Sequence, residues 1–258
     1  MQTIKAKKSL GQNFLIDEEA LFDISSSIEI TGKNIIEVGP GYGALTEYII
    51  QESPQNLTLV ELDKDMIDIL DDRLQNEWKG APIFIENQDV LQFVPKEENY
   101  SVIANIPYYI TSPILFRFLY DLPNPPDEMT IMMQKEVGEK ILEGRARKPH
   151  HSVISLAMEN ACDDIKLVRY VGKESFDPAP KVDSIVLKFI VKKKRNRKEE
   201  KGLIALWKQA FTQPRKTLLS NLKGIFDPEI IKKWMSECGY DEKVRAEAVR
   251  RDDWEKLM

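Results

Sequence analysis

The chain has 258 residues, 42% of them apolar and 31% charged, with a formal net charge of -5. That length can bury a full core and fits one large domain with a small appendage, in a soluble globular protein. No apolar run approaches the roughly 18 residues that a membrane span needs, and the acidic balance argues against a surface coated throughout for nucleic acid.

Met1 to Lys8 is basic but is followed by no apolar stretch, so an export signal and a membrane association are not expected, and the cytoplasm is the expected compartment. Cys162 and Cys238 stand far apart with no metal-ligand spacing, which predicts two reduced thiols, no disulfide and no metal site. His150 and His151 are the only histidines and lie in a polar stretch, which predicts surface positions. The cations are clustered, at Lys5 to Lys8, Arg145 to Lys148, Lys192 to Lys198, Arg215-Lys216 and Arg245 to Arg251. Only convergence of such clusters on one face would make a nucleic-acid footprint.

In chain order, β-branched runs at 34–38, 56–60, 82–85, 100–104 and 129–133 alternate with helical patterns at 44–51, 65–76 and 113–120, the last capped by Ser112 with Pro113 at the first helical position. This is an α/β pattern: a doubly wound, Rossmann-like parallel sheet. A helix at 153–161 precedes strands at 165–171 and 184–191, whose short Pro-containing connection predicts a terminal antiparallel hairpin. The charged run 192–201 reads as a linker. Short helices at 203–211, 215–222, 228–238 and 252–257 then form a small all-α domain, giving a division into 1–191, 192–201 and 202–258.

Four motifs carry chemistry. Gly39-Pro40-Gly41-Tyr42-Gly43 follows Glu37-Val38 on the first long strand, as a glycine turn before a helix. Nicotinamide, flavin and adenosylmethionine enzymes all use such turns, but GxGxG is not the GxGxxG that closes around a pyrophosphate. Glu61, at the end of the next strand, can accept both hydroxyls of a ribose; alternatively it caps the following helix, for which Asp63 is better suited. Asp89, after the third strand, can receive an adenine amine of the cofactor or serve as a turn residue. Asn105-Ile106-Pro107-Tyr108 ends the fourth strand. The Asn105 side-chain oxygen and the Ile106 carbonyl can accept hydrogen bonds from an adenine amine and favour pyramidal nitrogen in the transition state. Pro107 fixes the turn and Tyr108 offers a stacking face, although an ordinary turn with a core tyrosine fits the tetrapeptide alone. Phe176, opening Phe176-Asp177-Pro178-Ala179-Pro180, can close a sandwich over the base, or the loop is simple punctuation.

With these motifs in this order, the chain resembles the bacterial small-subunit rRNA adenine N6-dimethyltransferases. The likeness covers Leu10 to Leu15, the glycine turn, Glu61-Leu62-Asp63, Gln88-Asp89, Asn105 to Pro113, Met133 to Val137, Phe176 to Ser184 and Ala210 to Leu218. It implies S-adenosylmethionine as methyl donor, held by Asn13, Leu15, Gly39, Gly41, Glu61, Asp89 and Asn105. It also implies two successive methyl transfers to each of two adjacent adenosines near the rRNA 3′ end, on an immature ribosomal subunit, by a monomer. Arg147 to Val153 departs from the family's usual Tyr-Gly pair, and the acidic charge is unusual for it. A related branch methylates large-subunit rRNA and confers macrolide resistance; Tyr109, Pro113 and the 176–184 loop fit the small-subunit branch better. Two other classes remain open: a nucleotide-dependent oxidoreductase, and a ribosome-assembly factor with little catalysis.

Overall fold

The computed structural model describes residue 7, residues 10–145 and residues 150–258; Arg147 and Lys148 of the departing loop, and most of the amino-terminal basic cluster, lie outside them. The elements run β1 (Phe14–Leu15), α1 (Glu18–Ser26), β2 (Asn34–Val38), α2 (Ala44–Gln51), β3 (Asn56–Glu61), α3 (Lys64–Asn76), β4 (Ile83–Asn87), β5 (Ser101–Asn105), α4 (Thr111–Phe116), β6 (Glu128–Gln134) and α5 (Lys135–Glu143). They continue with α6 (Val153–Ala161), β7 (Cys162–Val171), β8 (Phe176–Asp177), β9 (Ser184–Val191), α7 (Arg197–Ala210), α8 (Leu218–Leu222), α9 (Pro228–Glu237) and α10 (Arg251–Glu255). No helix among the described residues is long and apolar enough to cross a membrane.

Contacts divide the chain into two compact units, one of Met1–Gly138 with Asp164–Val191, the other of Glu139–Asp163 with Lys192–Met258. The first holds a seven-stranded sheet in the order β4-β3-β2-β5-β6-β9-β7. Strands β2 to β6 are parallel, and their near-continuous apolar sequences suit a sheet covered on both faces. β9 runs antiparallel to β6, pairing Ser184 with Gln134. The order reverses between β2 and β5, and the carboxyl ends of strands at such a switch leave a crevice for ligands. Its core gathers Leu45, Ile49, Leu57, Leu59 and Leu70 with Leu15, Ile103 and Phe176.

Several expectations need correcting. The helix expected from Pro113 begins two residues earlier: a 3-10 turn at Tyr108–Ile110 runs into Thr111, Ile110 is the N-cap, and Ser112 and Pro113 sit inside the first turn, where a missing amide costs nothing. The helix then widens into a π turn at Arg117–Asp121. Helix α1 is additional, although Asp17 followed by Glu18-Glu19 is a start signal; Asp17 accepts the Ala20 amide at 3.0 Å.

In the second unit, the charged run does not stay a linker, since α7 starts at Arg197. Glu200 is buried because Arg195 Nε meets its carboxylate at 2.6 Å, which makes burial of the charge tolerable. His151 is 3% exposed and not a surface residue. Burial lowers its pKa to about 4, keeping it neutral. Its Nδ1 lies 3.9 Å from Glu159 Oε2, too far to hydrogen-bond. Trp234 donates to the Asp253 carbonyl at 2.9 Å and stacks 6.1 Å from Trp254. The Asp253 carboxylate collects Tyr240 Oη, Arg250 Nε and Lys256 Nζ. Burial opposes that charge, but the three donors outweigh it and hold the carboxyl near about 2.

Candidate active site

A cleft open to solvent lies over the carboxyl ends of β2, β3, β4 and β5. Every expected cofactor and base residue lines it: Asn13, Leu15, Gly39, Gly41, Glu61, Asp89, Asn105, Ile106, Pro107, Tyr108 and Phe176. The sheet brings them together although they span more than 160 positions of sequence.

The glycine turn is built for closeness. Gly39, Gly41 and Gly43 have φ of 69°, 59° and 90°, left-handed conformations that a side chain disfavours. A Cβ on Gly39 would touch the Asn105 carbonyl at 3.4 Å, and one on Gly41 would press on the Phe14 ring at 3.1 Å. Gly43 serves packing instead: a Cβ there would sit 2.4 Å from Trp78, whose ring carries Arg73 at 4.3 Å. All three glycine amides are already engaged, Gly39 with the Val60 carbonyl, Gly41 with Glu61 Oε2 and Gly43 with the Pro40 carbonyl. The turn therefore gives a ligand room while spending its glycine donors inside the protein, which does not suit a diphosphate.

Glu61 is tied into this turn. Its Oε1 accepts the Leu62 and Asp63 amides at 2.8 and 2.9 Å, and its Oε2 accepts Gly41. A carboxylate has about four lone-pair sites, so capacity for about one further donor remains toward the cleft. Burial pushes its pKa up, against the three amides that favour the charge. The helix-capping alternative falls to Asp63, the N-cap of α3. Behind the turn, Glu37 is buried and accepts the Thr46 hydroxyl at 2.7 Å; burial first, then the nearby Glu61 charge, raise it to about 8. Asp89 is a turn residue, its Oδ1 accepting the Leu91 amide at 2.9 Å, and it also lines the cleft.

Asn105 is the last residue of β5, beside β2 and opposite Met132 of β6. No described residue hydrogen-bonds its carboxamide, which leaves the amide oxygen available at the half-buried strand end. Pro107, with φ -55° and ψ 134°, turns the chain into the 3-10 segment that starts with Tyr108. The Tyr108 hydroxyl meets Ser184 Oγ at 2.7 Å.

Phe176 does not sit in a free loop. It pairs with Leu15 in the small β1-β8 ladder, Ile16 donates to the Ser175 carbonyl, and the ring is only 5% exposed where it lines the cleft. The same ladder draws residues 10–15 along the cleft as a wall, with Phe14 5.1 Å from Tyr42. Sequence reasoning missed what fastens that wall: Asp63 accepts Gln12 Nε2 at 2.7 Å and also the Lys7 ammonium. It missed the pairing of Ser184 with Tyr108 as well, although Ser184 closes the Phe176 to Ser184 segment.

Among the clustered cations at 215–216 and 245–251, Arg250 is bound to Asp253, and Arg251 to Asp252, Glu255 and Asn160. Arg215, Lys216 and Arg245 are exposed, and no described residue pairs with their side chains. The amide of Leu218 donates to the Val244 carbonyl at 2.8 Å, bringing these two stretches side by side.

A sheet of this order with a cleft at its switch point is a Rossmann-like methyltransferase fold. A dimethyladenosine transferase from Plasmodium falciparum shares it, with TM-score 0.75, 22% identity and 95% of each chain covered. So does the 23S rRNA methyltransferase ErmE, with TM-score 0.74, 22% identity, and 95% of this chain and 98% of that one covered. The chain belongs to the ribosomal RNA adenine dimethylase family, whose profile matches residues 3–258. It is 39% identical over 256 residues to the ribosomal RNA small subunit methyltransferase A of Mycoplasmopsis pulmonis, covering 99% of this chain and 98% of the relative. It is 34% identical to the protein of that name from Staphylococcus aureus strain JH9, covering 97% and 88%.

Proposed function

We propose that this chain uses S-adenosylmethionine to dimethylate N6 of two adjacent adenosines near the 3′ end of small-subunit rRNA, on an immature subunit in the cytoplasm. The observation that carries the reading is Asn105-Ile106-Pro107-Tyr108 at the switch point, with the Asn105 carbonyl beside Gly39, in the lining of a cleft that also holds Glu61 and Asp89. The residues fit the donor: Glu61 retains capacity for a ribose hydroxyl, Asp89 for an adenine amine, and Gly39 leaves the space a side chain would fill. When bound, S-adenosylmethionine supplies an electrophilic methyl on a sulfonium.

The protein contributes position and electrostatics. The Asn105 carboxamide oxygen and the Ile106 carbonyl accept the two amine protons of the target, drawing its lone pair out of conjugation as the methyl arrives. Tyr108 and Phe176, from two walls of the cleft, hold the extruded ring. A second transfer requires the same pocket to accept an amine that already bears one methyl. Engagement of all the glycine amides speaks against the oxidoreductase reading. The names of the curated relatives favour the small subunit over the large, for which only fold likeness speaks.

The test is mass spectrometry of methylated nucleosides from both rRNAs after purified immature subunits are incubated with the protein and S-adenosylmethionine. Dimethyladenosine confined to the small-subunit rRNA is expected. Product in the large-subunit rRNA, or none in either, overturns the reading.

A further inference from the structure

Tyr108 stands on weak backbone support. It opens a single 3-10 turn, held by the Ile110 amide to the Pro107 carbonyl at 3.2 Å and by the Thr111 amide to its own carbonyl. Such turns have poor hydrogen-bond geometry and restrain a ring little. The ring is fixed at its far end instead, where Oη meets Ser184 Oγ at 2.7 Å.

Ser184 is fully buried, and Tyr108 is the one described partner of its hydroxyl. A buried hydroxyl is costly unless paired, and the strand continues with Ile185, Val186 and Leu187, so an apolar residue would suit packing at this position. The backbone on either side is held firmly. Ser184 pairs with Gln134 across the sheet, and Asp183 accepts the Lys135 amide through its carbonyl and the Lys173 amide through its carboxylate. Thus the segment that begins at Phe176, one wall of the cleft, ends in the residue that anchors Tyr108, the other.

We propose that Ser184 is a positioning residue that sets the tilt of the Tyr108 ring for the target base. The proposal rests on the reading of Tyr108 as the stacking platform. Ser184 touches neither base nor donor; it acts through the phenol. The chemistry requires a hydroxyl at both ends, so phenylalanine at 108 would keep the stacking face and lose its orientation.

The experiment measures single-turnover methyl transfer to undermethylated small subunits, with donor affinity by calorimetry, for Ser184→Ala, Tyr108→Phe, the double variant and Tyr108→Ala. Ser184→Ala and Tyr108→Phe should each slow transfer about tenfold, the worth of one ordinary hydrogen bond. Donor affinity should be unchanged, and the double variant should be no slower than either single one. Tyr108→Phe opens no cavity in the core, so it reports even if Ser184→Ala folds poorly. Wild-type rates in both single variants, with Tyr108→Ala inactive, overturn the positioning role and leave the platform standing. Fully additive losses in the double variant also overturn it, because two groups acting through one bond cannot lose it twice. Wild-type transfer by Tyr108→Ala removes the platform and the proposal together.

Discussion

Gln12 and Asp63 are joined by a 2.7 Å hydrogen bond that closes the amino-terminal wall of the cleft onto the first turn of α3. Asp63 takes the Lys7 ammonium with its other oxygen, and its side chain is almost wholly buried. Burial works against the charge, yet the donations from Lys7, Gln12 and the Asp65 amide prevail and hold the carboxyl below its usual range. Asp63 is two residues from Glu61, so the turn proposed to receive the donor also fastens the wall beside it. Asp63→Ala should therefore weaken binding of S-adenosylmethionine about tenfold or more, with a smaller change in transfer rate at saturation, because the wall shapes binding and not the reacting amine. Calorimetry and saturation kinetics give the two numbers. A fall in kcat with unchanged affinity would contradict this role.

On the proposed mechanism, Asn105→Ala removes an acceptor whose bonds strengthen only as nitrogen becomes pyramidal. Loss of one such transition-state partner typically costs about 100- to 1000-fold in rate. Methyl transfer should fall by that order, while rRNA affinity by filter binding stays within a few-fold of wild type. Near-normal methylation would show that the amine is polarised elsewhere.

The parallel sheet was legible because strands buried on both faces must be apolar throughout, and β2, with Asn34 to Val38, and α2, with Ala44 to Gln51, fall where the pattern puts them. Gly39, Glu61 and Asn105 could be singled out because each puts a glycine or polar residue at the carboxyl end of an otherwise largely apolar strand. What stayed hidden depends on partners distant in sequence. The β1-β8 ladder is two residues long on each side, too short for any periodicity, and it turns Phe176 from a loop residue into a largely buried wall. His151 looked like a surface residue because its neighbours are polar, and the packing of Gly43 against Trp78 joins positions too far apart in sequence to be seen there.

Glu37 gives the fold a pH dependence of defined sign. Its folded pKa is about 8, raised by burial, whereas an unfolded chain ionises it near the ordinary glutamate value of about 4.3. Between those values the folded state holds the proton and the unfolded state has lost it, so stability from this group is full below the lower value and drains away as pH rises through the higher. Glu37→Gln keeps a neutral group of the same shape and can still accept from Thr46. Denaturant titrations from pH 5 to 9 should show the wild type losing stability relative to the variant across that range, by an amount on the order of a few kcal/mol at the alkaline end. Parallel curves would mean that Glu37 is ionised in the folded protein.

The cations of the second unit separate into two groups with opposite expected behaviour. Arg215, Lys216 and Arg245 are exposed and unpaired among the described residues, so they are free to replace counterions on rRNA phosphates. Arg250 and Arg251 are held by Asp253 and by Asp252 and Glu255. Reversing the first three to glutamate should weaken binding to the small subunit and lower the slope of log affinity against log salt by about one unit per lost contact, with melting temperature within a few degrees of wild type. Arg250→Glu should act chiefly on the fold, because it places a second carboxylate beside the buried Asp253 and forfeits one of three donors to it. Salt titrations of rRNA binding and thermal melts of both variants separate the two effects. An unchanged salt slope for the triple variant would move the RNA contact away from this surface.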